Sequence, residues 1–174
     1  MMNFDDPLQK LIADALNEDA GSGDYSTLSC ISPETKGKAV LHIKQEGIIA
    51  GIQVAEQIFK FKEPGCFFQP FKKDGDIIMA GDRGFEITAS VHTILLCERL
   101  VLNCLQRMSG IATLTRQYVE RIKGYKTKIL DTRKTTPNFR LLEKEAVSIG
   151  GGMNHRFSSA ARPASRRPCD SRRL

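Results

Sequence analysis

The sequence is short of the residues that carry most metal and redox chemistry. Its three histidines, His42, His92 and His155, are scattered singly, and its five cysteines, Cys30, Cys66, Cys97, Cys104 and Cys169, include no CxxC pair. That spacing argues against a structural zinc site and, the count being odd, against a disulfide framework. The thiols are expected to be reduced, in a cytoplasmic protein, because the N-terminus also lacks the basic and apolar regions of a signal peptide. No apolar run approaches the ~20 residues that span a bilayer, so no membrane association is expected. Neither a Walker loop nor a dinucleotide fingerprint occurs, and no Ser or Cys stands in a recognisable nucleophile turn.

What is present is a chain of 174 residues with 41% hydrophobic and 26% charged content, the composition of a folded domain or two small ones. Its formal charge of +6 is uneven. Residues 158–174 hold five Arg and one Asp, which is +4, so the other 157 residues carry only +2. This tail has no Lys and no aromatic residue and consists largely of Ser, Ala, Arg and Pro. So little bulky apolar surface cannot offset ordering entropy, and the tail is expected to be disordered. Five arginines could bind nucleic acid non-specifically, but nothing aromatic stacks on bases and the body is nearly neutral, so no nucleic-acid partner is expected.

Hydrophobic spacing predicts a helix over Asp6–Leu16, stopped by Gly21-Ser22-Gly23-Asp24, a strand over Lys38–Lys44 and a helix over Ile52–Phe61. Strands follow around Cys66–Lys72 and Phe85–Val91. From His92 to Leu105 the pattern is helical, with Leu95, Leu102 and Leu105 toward one side and Arg99, Asn103 and Arg107 on a polar face. Ser109-Gly110 is expected to interrupt it before a second helix to about Ile122. A short strand Thr127–Leu130, a polar loop, a helix with Pro137 in its first turn and Phe139, Leu142, Ala146 and Ile149 on its apolar face, and then a Gly turn make the start of an α/β repeat.

Three clusters could carry chemistry. Thr132, Arg133, Lys134, Thr135 and Thr136 follow the predicted strand, where α/β folds gather ligands. A guanidinium fork, an ammonium and hydroxyls suit an anion, and a solvated basic loop is the equally available alternative. The second cluster is Gly150-Gly151-Gly152-Met153-Asn154-His155-Arg156-Phe157, whose glycines allow a sharp turn or close approach to a ligand before His155 and Arg156 emerge. A lone His is also a common structural residue. The third is Arg99, which either points into a cleft or pairs with an acid at the surface. Cys97 and Cys104, in an apolar helix, are expected to be inert.

Glu98 to Asn103, Gln106 to Thr113, Asp131 to Pro137, Leu141-Leu142-Glu143-Lys144 and Gly150 to Phe157 occur in order, preceded by Glu18-Asp19 and Gly23-Asp24. Over roughly residues 5 to 157 this resembles the quinolinate phosphoribosyltransferase family. The resemblance implies an enzyme of NAD biosynthesis that joins quinolinate to phosphoribosyl pyrophosphate with Mg²⁺, giving nicotinate mononucleotide, pyrophosphate and carbon dioxide. It assigns quinolinate binding to Thr132, Arg133, Lys134, His155 and Arg156, puts Lys134 near the ribosyl phosphates as the catalytic residue, and gives Arg99 to the pocket of a neighbouring subunit in a homodimer or higher oligomer.

The implied fold class is α/β: an α+β N-terminal sandwich domain over residues 1–106, then the first part of an incomplete α/β barrel over 107–157. A full barrel commonly needs about 200 to 250 residues. The switch of composition at Ser158 is expected to mark a frameshift or gene-model boundary, with the acidic ligands of Mg²⁺ downstream of this chain, which leaves it inactive alone. A non-catalytic dimerisation module is the alternative, and a related enzyme with another pyridine substrate also stays open.

Overall fold

The computed structural model describes residues 5–21 and 23–155. Arg156, Phe157 and the tail 158–174, with the expectations placed on them, lie outside the described residues. The chain runs α1 (Asp5–Ala20), α2 (Tyr25–Cys30), β1 (Lys36–His42), β2 (Gly47–Ile48), α3 (Ile52–Lys62), β3 (Phe67–Pro70), β4 (Ile77–Ile78), β5 (Arg83–Ser90), α4 (Val91–Arg121) and α5 (Arg140–Ile149). This mixture of helices and open sheets is an α/β fold, as the sequence implies.

Strand β5 is the centre of an antiparallel sheet ordered β1-β5-β3, and β2 pairs with β4 in a second, two-stranded sheet. Alternation on β5 buries Phe85, Ile87 and Ala89. Phe85 meets Phe68 of β3 and Phe59 of α3 at ring-centroid separations of 4.6 Å and 6.2 Å, so sheet and helix share an aromatic core. Helix α1 adds Leu8, Ile12 and Leu16 to the same core.

Helix α4 differs from expectation. It is one helix of 31 residues, about 46 Å long at 1.5 Å per residue, and is not broken at Ser109-Gly110. Tertiary contacts override the weak local propensity. The Ser109 hydroxyl accepts from the Ala50 N–H at 3.0 Å and donates to the Ala50 carbonyl at 3.2 Å, and Thr113 Oγ1 accepts from the Ile48 N–H at 2.8 Å, so the presumed break is where α4 grips β2 and the residues after it. The buried face also runs differently, through Cys97, Leu100, Val101, Cys104, Leu105 and Met108, while Leu95 is 40% exposed. Residues 106 and 107 both lie inside this helix.

Other differences are smaller. Helix α2 was not anticipated: its six residues are too few to show periodicity, and its start is capped by Asp24, whose carboxylate accepts from the Thr27 N–H at 3.2 Å. Thr127–Leu130 is not a strand of its own; it makes one isolated parallel bridge among the described residues, Leu130 to Met153. Pro137 stands in a turn before α5, which begins at Arg140, and Asn138 there has a positive φ of 64°. The expected apolar face of α5 does pack against α4 through Leu142 and Ala146, both fully buried.

Candidate functional site

The site is built where two chain segments meet at the C-terminal side of the Leu130–Met153 bridge. The Met153 N–H donates to the Ile129 carbonyl at 2.9 Å and the Asp131 N–H to the Met153 carbonyl at 3.1 Å, so residues 129–131 and 153–155 run side by side in parallel. The crossover between them is α5, the right geometry for a strand-helix-strand unit. Thr132, Arg133 and Lys134 follow the bridge on one segment and His155 follows it on the other.

A buried polar cluster binds these two exits. Asp131 Oδ1 accepts the His155 N–H at 2.8 Å, and Asp131 Oδ2 pairs with Lys144 Nζ from α5. Lys144 Nζ also donates to the His155 carbonyl at 3.4 Å. The Asn154 amide, oriented to satisfy its neighbours, donates to Asp131 Oδ2 at 2.7 Å and to the Lys144 carbonyl at 2.8 Å. Both charged side chains are out of solvent, Lys144 at 0% and Asp131 at 4% exposure.

The cationic loop is pinned along its length. The Lys134 N–H donates to Thr132 Oγ1 at 3.2 Å, and Arg140 donates to Thr135 Oγ1 at 3.1 Å and to the Arg133 carbonyl at 3.4 Å. Arg107 of α4 donates to Thr136 Oγ1 at 3.2 Å and pairs with Glu143 of α5 at 2.7 Å. Burial pushes the Glu143 carboxyl up, but the hydrogen bonds from Thr136 and Arg107 outweigh it and hold the group below the usual carboxylate range. With Glu143 and Asp131 engaged internally, the exposed side chains of Arg133 and Lys134 are left to face solvent at this loop.

The triple-glycine turn serves packing. A Cβ at Gly150 would lie 2.6 Å from the Ala112 carbonyl and 2.7 Å from Thr115 Cβ, and one at Gly152 would lie 2.7 Å from Val147 Cγ1. Arg116 of α4 donates to the Gly150 carbonyl at 3.1 Å. The close approach allowed by the glycines is therefore to α4 and α5, which brings His155 to its place.

Thr132, Arg133, Lys134 and His155 are thus brought together, and Arg99 is not among them. Arg99 pairs with Asp19 at the end of α1 and lines a concavity of about 640 Å³ with Asp24, Tyr25, Glu98 and Leu102. It stands eight residues before Arg107 on α4, about 12 Å along the axis. Arg156 lies outside the described residues. Cys97 and Cys104 are fully buried, and burial pushes both thiols up to about 12, so neither is a nucleophile. No group of three or more His, Cys, Asp or Glu among the described residues could hold a metal ion, so these residues do not fit Mg²⁺. Among them, too, no helix is long and apolar enough to cross a membrane.

In the sequence Arg107 is legible only as part of a polar helix face, and Asp131, Glu143, Lys144 and Asn154 only as members of longer motifs; none has a role at the site there. Lys144 projects nearly opposite the Leu142–Ala146–Ile149 stripe, where an amphipathic pattern puts solvent, and its partner is 13 residues away. The one available signal was the dense run Glu143-Lys144-Glu145 inside a helix flanked by apolar segments.

Comparison with known proteins decides the family. The description "Quinolinate phosphoribosyl transferase, N-terminal domain" matches residues 24–109, and "Quinolinate phosphoribosyl transferase, C-terminal domain" matches residues 111–160. The chain belongs to the quinolinate phosphoribosyltransferase family. Within that family it is 42% identical over 151 residues to the chloroplastic nicotinate-nucleotide pyrophosphorylase [carboxylating] of Oryza sativa subsp. japonica, a match covering 86% of this chain and 40% of that protein. It is 43% identical over 150 residues to the probable nicotinate-nucleotide pyrophosphorylase [carboxylating] of Bacillus subtilis, covering 86% of this chain and 52% of that one. The crystal structure of NadC from Streptococcus pyogenes superposes with a TM-score of 0.81 at 44% identity, over 86% of this chain and 53% of that one. The nicotinate-nucleotide pyrophosphorylase from Francisella tularensis gives 0.82 at 35% identity, over 90% and 55%. The chain therefore spans about half the length of these relatives.

Proposed function

We propose that this chain supplies the dicarboxylate-binding part of a quinolinate phosphoribosyltransferase, a cytoplasmic enzyme that converts quinolinate and phosphoribosyl pyrophosphate to nicotinate mononucleotide, pyrophosphate and carbon dioxide. The observation that carries the reading is the convergence of the exposed loop Thr132–Lys134 and His155 on one end of the bridged pair. Quinolinate is a flat ring with two adjacent carboxylates. Its recognition calls for donors from two directions, and the fork of Arg133 and the ammonium of Lys134 answer one side while His155, with Arg156 by family resemblance, answers the other.

In the reaction the pyridine nitrogen forms a bond to the ribosyl anomeric carbon as pyrophosphate departs, and the ring 2-carboxylate later leaves as carbon dioxide, its carbon taking up a proton. The role of this chain's cations is positional and electrostatic. They hold the ring so that its nitrogen faces the ribose, and by family resemblance Lys134 would stand near the ribosyl phosphates. Mg²⁺, which the family resemblance implies, would need acidic ligands other than the described residues. Arg99, remote from the loop within one chain, would complete the pocket of a second copy. Residues 1–106 act as the sandwich domain that presents it, and residues 107–157 as the start of the barrel.

Because the loop is open to solvent in a single chain, quinolinate binding is expected to be weak and catalysis absent. The test is a calorimetric titration with quinolinate together with an assay of nicotinate mononucleotide from both substrates and Mg²⁺. Binding that is lost in Arg133→Ala, with no turnover, is the expected outcome. No binding by the intact chain contradicts the assignment, and turnover contradicts the division of labour.

A second reading is a dimerisation module, favoured by the exposed apolar side chains Leu95, Leu114 and Tyr118 of α4, at 40%, 52% and 50%. Sedimentation showing only monomer at micromolar concentration removes it.

A further inference from the structure

We propose that Lys144, Asp131 and Asn154 are positioning residues: a buried clasp that fixes the separation between the Thr132–Lys134 loop and His155, and so sets the preference for two carboxylates over one. The inference rests on the reading that these loops bind a pyridine dicarboxylate.

Lys144 touches no solvent, so it does not meet a ligand itself. What it does is grip. Its ammonium holds Asp131 from one segment and the His155 carbonyl from the other, while Asp131 takes the His155 N–H. Both backbone polar groups of His155 are thus engaged by one ion pair, and Asp131 directly precedes Thr132 in the chain. One carboxylate-binding loop thus begins immediately after Asp131, and the opposing group, His155, is itself held by the clasp through its backbone.

Charge is an expensive way to join two strands if stability alone is wanted. A buried ion pair recovers little beyond its desolvation cost, and apolar residues of similar volume often do as well. What a satisfied polar cluster supplies is one defined geometry, since any slip leaves a buried charge unpaired. Among the described residues a single β-bridge joins the segments, and the clasp adds directional contacts that hold their register. The clasp reinforces that bridge at the point where ligand spacing is decided.

The experiment compares the full chain with Lys144→Met by amide hydrogen exchange and by titration with quinolinate and with nicotinate, which carries one carboxylate. The His155 amide should exchange at least tenfold faster in the variant while amides of β5 and α4 change less than twofold. Quinolinate affinity should fall about tenfold and nicotinate affinity less than threefold, a split that a general loss of stability does not produce. A folded variant with unchanged His155 protection and an unchanged quinolinate-to-nicotinate ratio overturns the proposal. If Lys144→Met does not fold, Asn154→Ala, which leaves the ion pair, is read the same way; a two- to threefold loosening of His155 supports the clasp and no change overturns it. If the exchange result holds but the intact chain binds neither acid, the clasp stands as the device that sets the loop separation and the substrate reading fails.

Discussion

The sheet with α1, α3 and the first half of α4, and the segment from residue 127 to 155, are held in place by different forces. In the first, buried apolar surface dominates: Phe59, Phe68 and Phe85 are in contact, and Ile58, Ile87, Val101 and Leu105 belong to the same core. In the second, α5 packs on α4 with an apolar face, but the segments that carry the candidate ligands are tied by Asp131, Lys144, Asn154, Arg107 and Glu143. Apolar burial is non-directional and stabilises whatever it covers. Polar clusters contribute less net free energy and specify more geometry. The region that must aim side chains at a small molecule is the one built with directional contacts.

The largest test of that contrast is Phe85→Ala. Loss of the central ring should cost about 3–5 kcal/mol in urea unfolding, the range for a large aromatic truncated in a packed core. A cost below about 1 kcal/mol would mean that the aromatic contact is not what joins the sheet to α3.

Gly150→Ala probes the second region where it approaches α4. A Cβ placed 2.6 Å from the Ala112 carbonyl must push backbone against backbone, for a cost of about 2 kcal/mol. Exchange should rise in α5 and at residues 153–155 more than in β5. Uniform loosening throughout would erase the distinction drawn between the regions.

Glu145 gives a pH signature confined to the junction of the two. Its carboxyl is pushed up to about 7, first by burial and then by repulsion from Asp74, and its Oε2 is buried without a hydrogen-bond partner among the described residues. Asp74 is fixed there, accepting the Gly51 and Ile52 N–H groups at 2.6 Å and 2.8 Å at the start of α3. A carboxyl whose folded value exceeds its ordinary 4.5 makes the folded state the tighter proton binder. Its stabilising contribution is full below about 4.5 and is lost as pH rises through about 7. Glu145→Gln should therefore gain about 1–2 kcal/mol at pH 8, allowing for partial contact with solvent, and nothing near pH 4. Destabilisation at pH 8 would show that the charged form is accommodated.

The smallest effect is expected at Arg99. Its pair with Asp19 is 72% exposed on the arginine side, and exposed pairs contribute about 0–1 kcal/mol, so Arg99→Ala should leave thermal unfolding nearly unchanged. A large loss of stability would make Arg99 a structural residue of this chain and remove it from the proposed site.

Apolar periodicity made much of the first region legible in the sequence. The spacing in Asp6–Leu16, Ile52–Phe61 and Phe85–Val91 anticipated α1, α3 and β5 within a few residues. It failed at Ser109-Gly110, where local propensity suggested a break and the contacts of Ser109 with Ala50 keep α4 whole. In the second region the cationic loop and His155 were visible as residue types, but not the clasp beneath them. Lys144 lies on the side of α5 that an amphipathic pattern assigns to water, and only the fold puts Asp131 there. Ion pairs between residues 13 or 36 positions apart leave no periodic trace.

The most direct test of the central claim is a nitrogen-15 amide titration of the intact chain with quinolinate. The account predicts shifts at Thr132, Arg133, Lys134 and His155, with the cleft of about 900 Å³ between His42–Ile49 and the Leu102–Gln117 face of α4 unaffected. Shifts confined to that cleft, or none at the loop up to millimolar quinolinate, would contradict it.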